Sequence, residues 1–186
     1  MKADISELII FLGGTALFVW VSWFSLLKPH SHGFYRFFAW EFMLALLLLN
    51  FPMWTKNPGS PLQLASWLLL VISIVLALHA VHLLFSIGQP NESRREPELL
   101  AFERTSNLVT TGAYRYIRHP MYSALLFLAW GAFLKDISLP SVLLVGGTNI
   151  ALFFTALREE EECKHYFGIH YIEYIKTSKR FVPFVF

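Results

Sequence analysis

The sequence has one cysteine and few charges, and these two shortages remove several classes of protein at once. Cys163 cannot close an internal disulfide, and a single thiol cannot by itself build a thiolate metal site. It follows four consecutive glutamates, whose negative charge opposes thiolate formation, so it reads as an inert position on a helix face. Charged residues make up 15% of the 186, against about a quarter in an ordinary soluble domain. The formal net charge is only +2, and the basic residues form no patch interleaved with aromatics. Nucleic acid is therefore excluded as a partner.

What the sequence has instead is apolar length. Hydrophobic residues are 55% of the chain and mean hydropathy is +0.51. Apolar runs recur along most of the sequence, too many for one core to hide from water, so a bilayer must take the excess. Runs at 5–27, 34–54 and 62–87 each reach the length needed to cross a hydrocarbon core of about 30 Å at about 1.5 Å per residue. Lys2 is offset by Asp4 and Glu7, and no small-x-small site follows the first run, so that run reads as a retained span rather than a cleaved signal. The stretch KNPGSP turns the chain after the second run, and Gly88 with Pro90 stops the third.

From 89 to 118 the composition becomes polar and charged; long connectors in compact chains usually carry function or are disordered. Two further apolar runs follow, at 120–134 and 138–157, and read as a helical hairpin whose first member is short for a span. The tail from Arg158 mixes lysines with Tyr166, Phe167, Tyr171, Tyr174 and Phe181, a composition suited to the membrane interface. The prediction is an all-α, polytopic membrane bundle of about five transmembrane helices. Residues 1–88 form three N-terminal spans, and residues 89–186 form a second half made of connector, hairpin and interfacial tail.

With five spans, Lys2, Lys56 and Lys135 fall on one side and the other twelve of the fifteen Lys and Arg on the opposite one. The positive-inside bias then places the connector and tail in the cytoplasm, as in a bacterial inner membrane, with the N-terminus outside.

Several polar groups stand out against this apolar background. Arg118 and His119 precede Pro120, whose ring suits the first turn of a helix and keeps His119 out of helical dihedrals, so both side chains sit at a helix mouth. Free amide donors and a guanidinium fork there suit an anionic group. Taken alone, Arg118 is equally a side chain snorkelling to lipid phosphates and His119 a helix cap. The four glutamates at 159–162 follow an apolar run and oppose the dipole of a helix ending there. They therefore call for a compensating cation, either a ligand or Arg158 and Lys164. Tyr171 and Tyr174 share a helix face that suits either a nucleoside or an interface belt. His79 and His82 have ligand spacing but no carboxylate or cysteine partner at membrane depth, so no metal site is assigned. Glu41 lies within a span, where a carboxylate needs a partner, and Arg36 is near but off the ideal face.

The segments LVTTGAYRYIRHPMY (108–122) and REEEECKHYFGIHYIEYIKTSKRFVP (158–183) carry a resemblance. Gly112, Tyr114, Arg118, His119, Pro120 and Tyr122, then Glu159, Glu160, Phe167, Gly168, Tyr171 and Tyr174 with Arg180 following, stand in an ordered pattern. That pattern resembles the isoprenylcysteine carboxyl methyltransferases and their relatives among membrane phospholipid methyltransferases. The resemblance implies an S-adenosylmethionine-dependent membrane enzyme acting on a lipophilic acceptor: an isoprenylcysteine-like carboxylate, a phospholipid amine or a small thiol.

It also implies a cofactor site made by Gly112, Tyr114, His119, Pro120, Tyr122, Glu159, Glu160, Tyr171 and Tyr174, with no metal, while Arg118 and Arg180 hold an anionic acceptor. An amine or thiol acceptor must instead lose a proton, to Glu160 or His119. Two other classes share parts of this profile. An NADPH-dependent sterol-type reductase has a related Arg-His-Pro-x-Tyr element but lacks the Glu-Glu and Phe-Gly arrangement. A non-catalytic transport or assembly subunit would account for Glu41 and the histidines.

Overall fold

The computed structural model describes residues 5–90, 96 and 99–183. Lys2, Arg94 and Arg95, which enter the Lys and Arg asymmetry, and Asp4, which enters the reading of the first run, lie outside the described residues. The chain forms helices α1 (Ile5–Val21), α2 (Trp23–Leu26), α3 (His32–Asn50), α4 (Pro61–Leu83), α5 (Pro120–Phe133), α6 (Leu139–Phe167) and α7 (Ile169–Thr177). Among the described residues the only strand-like pairings are two isolated bridges.

The helices begin where local chemistry dictates. Ser60 and Ser138 cap α4 and α6 by accepting the N–H groups of Gln63 and Ser141, each with a proline in the first helical turn. Hydropathy is a poorer guide to where they end. The first apolar run is two helices, because a turn at Ser22 separates α1 from α2. Hydropathy predicts an end of the last run at 157, yet α6 continues through its glutamates to Phe167. Glu, Lys and Arg are good helix formers, so loss of hydropathy alone does not stop a helix. The stop is Gly168, at φ +58, a conformation side chains disfavour. The four glutamates therefore lie inside a helix and not at its end.

Among the described residues, three helices are long and apolar enough to cross a membrane: His32–Met53, Pro61–Gly88 and Leu139–Phe167. Ile5–Val21 and Pro120–Phe133 are apolar but shorter, so full span length belongs to three of the five predicted runs.

The most extensive helix packing is of α3 on α6 and of α4 on α5, and α5 also packs on α6 and α3. Small side chains at the crossings allow this approach: a Cβ on Gly131 would meet Leu70 at 2.9 Å, and the Ser66 hydroxyl donates to the Gly131 carbonyl at 2.7 Å. The usual pattern is inverted along α4, where Gln63, Ser66 and Ser73 are buried while Leu68, Val71, Val75 and Leu78 are exposed. Such a helix is solvated by lipid rather than by water.

At the end remote from the connector, Lys135 is 5% exposed, donates to Gln63 Oε1 at 3.0 Å and sits 3.7 Å from the centre of the Trp67 ring. Asn50 donates to the Ala132 carbonyl at 2.8 Å and accepts from Ser141. These bonds tie α3, α4, α5 and α6 together at that end. Glu41 takes its hydrogen bond from Thr15 of α1, at 2.8 Å, and Arg36 turns away to the connector.

Candidate functional site

At the other end, the chain folds so that three separated segments meet. The connector reaches α5 through a tight turn, Gly112–Arg115, in which Gly112 has φ +59. A Cβ there would lie 2.7 Å from both His79 Nε2 and Leu83 Cδ1. Glycine is thus required twice, by dihedral and by space. His79 Nε2 accepts the N–H of Ala113 at 3.3 Å, which fixes the turn to α4. This gives His79 a structural partner that its sequence spacing did not suggest.

The tail then pairs with the Arg-His-Pro turn. Arg118 N–H donates to Lys179 O at 2.7 Å, His119 N–H to Arg180 O at 3.2 Å, and Lys179 N–H to Tyr116 O at 2.9 Å. The Ser123 hydroxyl donates to Phe181 O at 2.8 Å, and the Arg118 guanidinium donates to Ser178 O. Tyr174 OH donates to Tyr114 O, which draws α7 onto the same turn. Tyr171 and Tyr174 are buried, at 3% and 7% exposure, so they are not an interface belt. Burial pushes the hydroxyls of both tyrosines well above their ordinary range.

Successive residues on a helix point roughly 100° apart, and the four glutamates of α6 accordingly meet different surroundings. Glu159 Oε2 lies 3.1 Å from His119 Nδ1. Glu160 is 4% exposed and receives Arg118 Nε at 3.0 Å, with Arg180 Nε at 2.9 Å and Nη2 at 3.0 Å. His119 Nε2 lies 3.4 Å from the same carboxylate. Glu161 pairs with Arg158 on the surface. Glu162 meets the N-terminus of α3 at His32. His119 therefore stands between two carboxylates and stacks on Tyr122, ring centres 5.3 Å apart. Burial alone would lower its pKa, but hydrogen bonds and charge from Glu159 and Glu160 override that and raise it.

A cavity opens in front of this arrangement, with about 810 Å³ of empty space including its mouth. Tyr114, Arg118, His119, Tyr122, Glu159, Tyr171 and Tyr174 line it, as does Phe167. These residues come from the connector turn, α5, α6 and α7, and the fold brings them to one surface. Gly112, Pro120, Glu160 and Arg180 are not among its lining residues. Gly112 and Pro120 shape the backbone, while Glu160 and Arg180 pair with each other behind the wall. Leu84, Leu99, Phe102, Glu103 and Met121 also line the cavity with no sequence feature that marks them, as do Glu162 of the glutamate run and Cys163, which the sequence presents as an inert helix-face position. For Glu103 the one sequence signal was its counterpart, Arg36, an arginine inside an apolar run.

Among curated proteins, the chain is similar to protein-S-isoprenylcysteine O-methyltransferases A and B of Arabidopsis thaliana. It is 34% identical to A over 87 residues and to B over 86 residues, in each case 45% of this chain and 43% of the relative. The chain thus spans less than half the length of these relatives. No solved structure matches it. The model of the phospholipid methyltransferase family matches residues 62–169. That segment is more than half of the chain and runs from α4 through the connector turn to the end of α6, so the chain belongs to the phospholipid methyltransferase family.

Proposed function

We propose that the chain transfers the methyl group of S-adenosylmethionine to a lipophilic acceptor that reaches the cavity from the bilayer. One observation carries this reading: residues of three sequence segments converge on a single cavity whose walls suit that cofactor. Tyr114, Tyr122, Phe167, Tyr171 and Tyr174 offer aromatic surface for a purine, and Glu159 supplies a carboxylate for a cationic or hydroxyl group. When bound, the cofactor supplies a methyl group already activated by its sulfonium.

The protein's contribution is then binding, alignment and exclusion of water, and alignment is worth up to about 7 to 11 kcal/mol. His119, bridged between two carboxylates, fixes the orientation of Glu159. Arg118 and Arg180 commit donors to Glu160, so their first task in this arrangement is to hold the tail, with Tyr171 and Tyr174, over the cavity. A carboxylate acceptor arrives ionised, whereas an amine or thiol acceptor must release a proton. Hydrogen bonds and charge from Glu159 and Glu160 favour the protonated form of His119, which works against it as the proton acceptor in that step. With the connector and tail in the cytoplasm, the cavity faces soluble cofactor on one side and lipid on the other.

The test is transfer of tritiated methyl from S-adenosylmethionine by the purified protein to fractionated membrane lipids and thiols. Label is expected in one fraction. No incorporation and no binding of S-adenosylhomocysteine, together with saturable binding of NADPH, would replace this reading with a reductase.

A further inference from the structure

α3 enters the bundle upstream of the segment that the family model matches, yet it touches the walls of the cavity. Its first turns carry His32 and Arg36, which are 0% and 2% exposed. The one carboxylate of α3 itself, Glu41, takes its hydrogen bond from Thr15 of α1, and a buried guanidinium left unpaired is strongly unfavourable. Both partners come from far along the chain. The backbone N–H of His32 donates to Glu162 Oε1 at 2.9 Å, and its Nδ1 meets the other oxygen of that carboxylate. On the opposite edge of the ring, Nε2 lies 3.4 Å from Glu103 Oε2. Arg36 Nη1 pairs with Glu103 Oε1 and its guanidinium lies 5.0 Å from the Trp40 ring centre. Glu103 also accepts the N–H of Leu100 at 2.8 Å, which closes its own turn of the connector.

The asymmetry of this cluster is informative. Glu103 and Glu162 line the cavity, whereas His32 and Arg36 do not. One imidazole thus spans the gap between a connector carboxylate and an α6 carboxylate, and one guanidinium fastens the connector side. Arg36 Nε and Nη2 are buried with no hydrogen-bond partner among the described residues. The arginine is therefore placed to reach Glu103 at the expense of its own donors, and such local sacrifices collect at functional sites. A carboxylate bonded from behind cannot swing into the cavity, and its charge is offset before any ligand arrives.

We propose that His32 and Arg36 are positioning residues for the methyl-donor cavity. They hold Glu103 and Glu162 against α3, so that the connector and α6 walls keep one spacing and one charge. The role rests on the function proposed above, and it makes the N-terminal helices part of the enzyme rather than a membrane anchor alone.

The experiment is calorimetric titration of the full-length protein in detergent with S-adenosylhomocysteine. Arg36→Met is expected to raise Kd at least tenfold and His32→Gln at least threefold. Arg36→Lys, which restores a cation within reach of Glu103, is expected to stay within threefold of wild type. A merely structural arginine would not show that recovery in ligand affinity of the folded fraction. Wild-type affinity in Arg36→Met, or in His32→Gln where Arg36→Met does not fold, would overturn the proposal. So would an Arg36→Lys protein that binds no better than Arg36→Met. A wild-type protein that binds no S-adenosylhomocysteine would remove the function and this role together, whereas tight wild-type binding with equally tight variants would remove this role alone.

Discussion

Glu160 and Arg180 are expected to act as one unit, and a double-mutant cycle measures this directly. The Glu160 side chain is 6% exposed, with Arg118 at 8% and Arg180 at 18%. Three guanidinium hydrogen bonds of 2.9 to 3.0 Å converge on its two oxygens. Removing one partner of a buried, hydrogen-bonded charge pair costs about 2 to 5 kcal/mol, much of it from the charge left behind. Glu160→Gln keeps the volume and one acceptor oxygen, so the expected loss is about 3 kcal/mol, on the order of a hundredfold in the folded-to-unfolded ratio. Arg180→Ala leaves Arg118 and His119 on the carboxylate and is expected to cost less, about 1 to 3 kcal/mol.

Because each substitution removes the same contact, the double variant is expected to fall short of the sum by about 1 to 3 kcal/mol. The assay is denaturant unfolding of the detergent-solubilised protein, run beside titration with S-adenosylhomocysteine. Cofactor affinity is expected to fall in both single variants, because the tail that carries Tyr171 and Tyr174 loosens in both. Additive stability losses would refute the reasoning. So would a Glu160→Gln protein of unchanged stability that has lost cofactor affinity, since the carboxylate would then be touching the ligand itself.

Three further outcomes follow from the same structure. Gly112→Ala is expected to destabilise the connector turn by about 1 to 2 kcal/mol from its left-handed backbone alone, with more from the contacts at His79 and Leu83, and a thermal midpoint equal to wild type would count against it. The His119 pKa is raised in the folded protein above its ordinary 6.5. Its stabilising contribution is therefore complete below about pH 6.5 and is lost as the pH climbs through the raised value, so the thermal midpoint is expected to fall over that interval, with a flatter slope in His119→Gln. Reporter fusions are expected to place residues 99–118 and the tail in the cytoplasm, given the Lys and Arg asymmetry, and an external connector would reverse the orientation.

The membrane character, the positions of the apolar helices and the order of the motif residues were all legible in the sequence, because each depends on local properties. Hydropathy over twenty residues, a proline after Arg118 and His119, and a glycine that alone tolerates φ +59 at 112 act within a few residues of where they stand. Helix ends were legible only where a backbone signal marked them, which is why α6 runs past its apolar stretch to Gly168. Partner choice among charges was legible only for the local pair, since Arg158 stands three residues before Glu161 on the same helix. The run of glutamates has no local feature that sends Glu159 to His119, Glu160 to Arg118 and Arg180, and Glu162 to His32. The helical rotation separates their directions, and the packing of α3, the connector turn and the tail around α6 decides what each direction meets. The union of Arg36 with Glu103 was likewise decided by tertiary structure alone. It joins residues 67 positions apart, and the cost of burying an unpaired charge, rather than any sequence pattern, is what requires them to meet.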